Sequence, residues 1–123
     1  MTGSFKDLKV FKLSYQLAMK IFHLSKSFPR EEMYALTDQI RRASRSVSQN
    51  IAEGYRKRRY PKHFTSKMTD ADGEASESIV CLDFVKDCGY LSEKTYNSLI
   101  NRYQEVGRML GSMANNPDRF LPK

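Results

Sequence analysis

The chain reads as all-α, an antiparallel up-down-up-down four-helix bundle, and three observations predict it. Apolar residues recur at steps of three and four in four successive segments, no segment sustains period-two alternation, and the breaks between segments are short, so sequential helices fold back on one another. At 123 residues the length suits one domain spanning residues 1–123, which can bury about two-thirds of its unfolded surface.

The first helix, expected over about residues 6–27, carries Leu13, Leu17, Ile21, Leu24 and Phe28 at helical spacing, with Phe11, Tyr15, Ala18 and Phe22 widening the stripe. Pro29 fits a first helical turn, and Glu31 and Glu32 suit the positive end of a helix. They place a second helix over about residues 30–57, with Met33, Leu36, Ile40, Ala43, Val47, Ile51 and Gly54 inward. Pro61 breaks the chain and opens the third helix, to about residue 87, through Phe64, Met68, Ala71, Ala75, Ser78, Leu82 and Val85. Its small residues imply close helix approach. Gly89 reads as a helix stop and Ser92 as an N-cap for a fourth helix over about residues 92–114, with Tyr96, Leu99, Tyr103, Val106, Leu110 and Met113 inward.

Charge gives the first functional indication. The net charge is +7 and the isoelectric point about 9.5, but residues 1–62 hold 14 Lys/Arg against 5 Asp/Glu, and residues 63–123 hold 7 against 9. The densest stretch is Arg56, Lys57, Arg58 and Arg59, followed by Lys62 and Lys67, with Tyr55, Tyr60 and Phe64 interleaved. In an up-down topology Lys6, Lys9, Arg119 and Lys123 join that cluster at one end of the bundle, and Glu31, Glu32, Asp87 and Glu93 mark the other. Cations interleaved with aromatics neutralise phosphates and stack on bases, making nucleic acid, RNA or DNA, the leading candidate partner. Arg41 and Arg45 would be secondary contacts. The competing reading is a solvated cluster that complements a helix C-terminus and aids solubility.

Beside the apolar stripe of the second helix, Gln39, Arg42, Ser46, Asn50 and Glu53 follow at steps of three and four. They form either a solvated face with Asp38–Arg42 and Glu53–Lys57 pairs, or a subunit interface whose amides and charges are satisfied across chains.

Other chemistries fit poorly. Asp70, Asp72 and Glu74 resemble the start of a calcium loop, but Gly73 stands fourth and Cys81 twelfth, where an EF-hand needs Gly sixth and Glu twelfth. Asp70, Glu74 and Glu77 share a helical face and suit ion pairs with another helix or subunit. His23 and His63 fall on different helices, and Cys81 and Cys88 lie seven residues apart without a metal-ligand pattern. No phosphate-binding glycine loop or nucleophile motif occurs. The expectation is a non-enzyme with no catalytic residues, no cofactor and no metal. No apolar run approaches the roughly 20 residues of a membrane span, and the charged N-terminus is unlike a signal peptide, which places the chain in the cytoplasm.

The run FPREEMYALTDQIRRASRSVSQNIAEG, residues 28–54, closely resembles the signature of the four-helix bundle proteins encoded in intervening sequences of bacterial 23S ribosomal RNA. The resemblance continues through an aromatic-led third helix with A-x-G-S-x-x-E and a glycine-tyrosine turn, matched by Phe64, Ala71, Gly73, Glu77, Gly89 and Tyr90. Glu74 stands where the family usually has Ser, adding a charge at a position read as tightly packed. The likeness covers about residues 5–114. It implies a bundle that associates into a five-fold ring, and a related branch, the accessory protein of diversity-generating retroelements, is a basic pentamer that binds nucleic acid and a reverse transcriptase. On this basis the chain is expected to be a homo-oligomer, with five copies favoured, that binds nucleic acid at its basic end. The alternative is a scaffold whose cationic end docks an acidic or nucleic-acid-processing protein.

Overall fold

The computed structural model describes residues 4–122. Four helices, α1 (Lys9–Ser25), α2 (Leu36–Arg56), α3 (Pro61–Asp87) and α4 (Glu93–Asn115), account for most of them. Three short 3-10 turns lie at Phe5–Asp7, Arg30–Glu32 and Pro117–Phe120, and no strand occurs among the described residues. Lys123, grouped by the charge argument with the basic end, lies outside the described residues.

α2 packs most extensively against α3, α3 against α4, and α1 bridges α2 and α4. Leu17, Ile21, Ile40, Ile51, Phe64, Met68, Leu82, Leu110 and Tyr103 are almost entirely withdrawn from solvent. Each such side chain contributes about 1.5–3 kcal/mol by leaving water. Every inward position expected for α3 is buried, as are those of α4 from Leu99 onward. Between α1 and α2 the seam also holds a buried hydrogen bond, Ser14 Oγ to Ser48 Oγ at 2.9 Å. At the α2–α3 seam a Cβ on Gly54 would lie 2.8 Å from Lys67 Cβ, so here the missing side chain sets how closely the helices approach.

The turn after α3 forms by the mechanism its sequence indicates. Gly89 adopts φ +82°, its N–H bonds Lys86 O and the Tyr90 N–H reaches Val85 O, both at 2.9 Å. This 6→1, 5→2 pair closes the last turn of a helix that ends in a left-handed residue. Ser92 Oγ then accepts the Thr95 N–H at 3.1 Å and caps α4.

Two expected boundaries are corrected. The first α-helix begins at Lys9, not near residue 6: Ser4 Oγ caps a single 3-10 turn, and Leu8 is extended at φ −67°, ψ 131°. The second begins at Leu36, not residue 30. Arg30–Glu32 is a 3-10 turn, and Ala35 at φ −126°, ψ −106° breaks the backbone before α2. This segment answers to tertiary contacts: Phe28 is buried with its ring 5.8 Å from that of Tyr90, and the Tyr90 hydroxyl donates to Glu32 Oε2 at 2.9 Å. Met33, expected inward, is therefore 48% exposed.

Candidate nucleic-acid interface

The basic cluster forms the corner between α2 and α3. The Lys57 N–H bonds Glu53 O and Gly54 O, and the Tyr60 N–H bonds Lys57 O at 2.9 Å, so α2 winds down in one tightened turn. Tyr60 takes the extended conformation required before proline, at φ −110° and ψ 95°, and Pro61 opens α3 where a missing N–H costs nothing. The corner thus presents Arg56, Lys57, Arg59, Tyr60, Lys62 and His63 to solvent. The N-terminal end of α3 lies here as well and favours anions.

Arg58 differs from its neighbours. Its guanidinium lies 4.1 Å from the Tyr55 ring centroid and donates through Nη1 to Tyr55 O at 3.0 Å. This half-buried pair braces the corner and covers one face of Tyr55. Tyr60 keeps an open ring, 57% exposed and 5.8 Å from the His63 ring. His63, Ser66 and Lys67 join Lys57 and Lys62 around a shallow depression of about 260 Å³. The sequence reading counted Lys67 in the basic stretch but not among the contact residues, and left out His63 and Ser66; their signal is the i, i+4 spacing from Lys62 and His63 that stacks the first two turns of α3 beside the end of α2.

The C-terminal residues complete this end. The Thr65 hydroxyl donates to Ala114 O at 3.2 Å, and the Phe120 ring stacks on Phe64 at 5.1 Å. Lys9 and Arg108 line one groove with Phe120, which brings Lys9 and Arg119 to the same end as the corner. Tyr90 and Glu32 meet where the other two turns converge.

Arg41 and Arg45 stand apart. They precede Arg56 by 15 and 11 residues, roughly 22 and 16 Å along α2. Arg41 Nε donates to Ser25 Oγ at 2.7 Å, and both guanidiniums lie over Phe22, at 4.9 and 5.7 Å. The fold spends them on the α1–α2 seam and does not bring them to the corner.

Along the polar stripe of α2, Gln39, Arg42 and Glu53 are exposed, and Ser46 and Asn50 are half-buried. Asn50 Nδ2 donates to Ser46 O at 2.9 Å, and Arg42 pairs with Asp38 at 3.0 Å as expected. The Glu53–Lys57 pair does not form. Glu53 Oε2 meets Lys67 Nζ across the seam at 2.8 Å, because the close approach at Gly54 brings α3 nearer than the next turn of α2. Lys67, by its hydrogen bond and charge, holds the Glu53 carboxyl below its ordinary range, and Glu53 holds the Lys67 ammonium above its own.

Among the described residues no group of three or more His, Cys, Asp or Glu is placed to hold a metal ion. Cys81 is buried and Cys88 exposed, both as free thiols. Burial, and then the charge of Glu77, pushes the Cys81 thiol up. No helix of the described chain is long and apolar enough to cross a membrane.

A four-helix all-α bundle with an exposed cationic corner between its second and third helices is the class these features define. The chain belongs to the 23S rRNA-intervening sequence protein family, whose pattern it matches over residues 6–112. Among solved structures it is similar to a protein of unknown function from the S23 ribosomal protein family of Bacteroides thetaiotaomicron VPI-5482. The two share 25% identity at a TM-score of 0.76, covering 86% of this chain and 95% of the other. No match is found among curated proteins.

Proposed function

We propose that this chain is a cytoplasmic, non-enzymatic homo-oligomer that binds nucleic acid through phosphate contacts at its basic corner. The observation that carries the reading is that Arg56, Lys57, Arg59 and Lys62 stand exposed on one corner without an ion-pair partner among the described residues, while the nearest acid, Glu53, is taken by Lys67. Free cations on a rigid turn neutralise phosphates and release counterions, and the exposed Tyr60 ring can stack on a base. On this reading the corner contacts the phosphate backbone and the shape of the nucleic acid, and sequence specificity by base readout is not expected.

Residue pairs that advance along one helix as they retreat along the next support an antiparallel arrangement: Ser25 with Arg41 and Ser14 with Ser48 between α1 and α2, then Thr65 with Ala114 and Asp83 with Tyr96 between α3 and α4. Five copies, the number favoured by the family resemblance, would carry +35 from a chain charge of +7. Joined at their basic ends they turn weak single contacts into a multivalent site. Gln39, Arg42, Ser46, Asn50 and Glu53 contribute polar contacts between copies.

The test is the salt dependence of binding to a short RNA and a matched DNA. Replacing Arg56, Lys57 and Arg59 together with Ala should lower the slope of log affinity against log salt by about two to three units, close to one per lost phosphate contact. An unchanged slope overturns the assignment. Binding that persists only with a protein partner after nuclease treatment supports the scaffold alternative instead.

A further inference from the structure

Two depressions adjoin at the corner between α2 and α3. The first, of about 260 Å³, is basic: Lys57 enters it from the end of α2, and Lys62, His63, Ser66 and Lys67 from the first two turns of α3. The second, of about 340 Å³, lies between α3 and the C-terminal 3-10 turn, where Pro61, Thr65 and Pro117 form its walls. Lys62 and Ser66 border both. They stand one helical turn apart on α3, so a single molecule can reach past them from one depression into the other.

Both depressions have fixed walls. Glu53 holds Lys67 Nζ at 2.8 Å, and an ammonium with three donors keeps two for another acceptor. The Thr65 hydroxyl on Ala114 O and the Phe120 ring on Phe64 pin the C-terminal turn against α3. With that hydroxyl already bonded, the second depression offers a mainly apolar wall of two proline rings and the Thr65 methyl.

We propose that these depressions together take the phosphorylated end of a nucleic-acid chain, with the terminal phosphomonoester in the basic one and its nucleoside over Pro61 and Pro117. The proposal rests on the nucleic-acid half of the reading above and adds which part of the polymer is held. Charge favours the monoester. Three lysines line the basic depression, and among the described residues Glu53 is the one carboxylate bonded to them, which leaves a net +2. An internal phosphodiester brings one negative charge, whereas a phosphomonoester brings about −1.5 to −2 near neutral pH.

The arrangement of donors favours it as well. An internal phosphate has two free oxygens and chain leaving on both sides, while a terminal one has three. Lys57, Lys62, His63, Ser66 and Lys67 converge from two helices on one depression and do not form a track, which suits a group where the chain ends. Arg56 and Arg59 line neither depression and serve the internal phosphates. The proline walls carry no N–H donor for a base edge, so the terminal nucleoside is held without its base being read.

The experiment is fluorescence anisotropy of the full chain with one short single-stranded RNA carrying an internal fluorophore, prepared with a 5′-phosphate, with a 3′-phosphate, or with hydroxyls at both ends. A hydroxyl-ended strand one nucleotide longer controls for added charge. At one fixed salt concentration at least one phosphorylated form should bind about tenfold more tightly than either hydroxyl-ended strand, and the two phosphorylated arms show which end is seated. Ser66→Ala and Lys62→Ala, shown to be folded by circular dichroism, should bring that ratio close to one, whereas Arg59→Ala should weaken every form and keep the ratio. The matching adenosine 5′- or 3′-monophosphate should displace the strand at a lower concentration than inorganic phosphate, because only the nucleotide fills the apolar depression. Equal binding of all strands, or a preference that survives both substitutions, overturns the proposal and leaves the nucleic-acid reading standing. Displacement by inorganic phosphate as effective as by the nucleotide overturns the seat assigned to the nucleoside. Absence of binding to every strand at low salt overturns the nucleic-acid reading and the proposal with it.

Discussion

The substitution Gly54→Ala probes the contact that holds the basic corner in place. Gly54 is buried in the last turns of α2, and a Cβ there would overlap the Met68 methyl and stand 2.8 Å from Lys67 Cβ. The methyl ends a flexible chain and can swing aside. Lys67 Cβ is fixed to the α3 backbone, and restoring the usual 3.5–4.0 Å between carbons requires α3 to retreat by roughly 0.7–1.2 Å. Overpacking of this kind costs about 1–3 kcal/mol, against a gain of about 1 kcal/mol for Ala over Gly in a helix interior. The balance is a net loss of up to about 2 kcal/mol, or a fall in Tm of up to about 10 °C for a chain of this size. Thermal unfolding by circular dichroism at fixed chain concentration measures it, with Gly111→Ala as reference, because a Cβ at Gly111 meets nothing within 4 Å and should raise Tm by a few degrees. The same retreat lengthens Glu53–Lys67 and frees Lys67 at the corner. A Gly54→Ala variant that melts above the parent refutes the reasoning.

Gly89→Ala places a side chain at φ +82° and should cost about 1 kcal/mol or more, seen as a lower urea midpoint with unchanged slope. The Tyr90 hydroxyl, hydrogen-bonded to Glu32, has its pKa pushed up to about 12. The folded chain therefore binds the proton more tightly than the unfolded chain, so this contribution is complete below pH 10 and is lost as pH rises from 10 toward 12. Tyr90→Phe should flatten that part of the alkaline stability profile, and a profile identical to the parent's counts against the Glu32 contact. Arg58→Ala, removing a guanidinium already committed to Tyr55, should change the salt slope less than Arg56→Ala or Arg59→Ala while lowering Tm.

The helices and their stops were legible because they are local. The three-and-four spacing through Phe64, Met68, Ala71 and Ala75 leaves one face for a core, and Gly89 and Ser92 act through their own backbone neighbours. What escaped the sequence depends on partners distant along the chain. The stretch before α2 departs from the helix its Pro-Arg-Glu-Glu start indicates because Phe28 and Glu32 are held by Tyr90, 58 residues on for the hydrogen bond. Spacing offered Lys57 to Glu53, but Gly54 admits α3 so closely that Lys67 takes it. At the site, the exposed cations of the corner were legible as a run, yet a run cannot show that Arg58 folds onto Tyr55 or that Arg41 and Arg45 are drawn to Phe22. The wide stripe of α1 likewise concealed that Tyr15 faces a groove and not the core.

The central claim is that a cationic oligomer of this chain takes up nucleic acid by its charge. Light-scattering mass of the purified chain, alone and with a short RNA or a matched DNA at low and high salt, tests it most directly. The account predicts a discrete multiple of 14.3 kDa that gains mass with nucleic acid at low salt and loses it at high salt. A particle of one chain mass that gains nothing at either salt contradicts it.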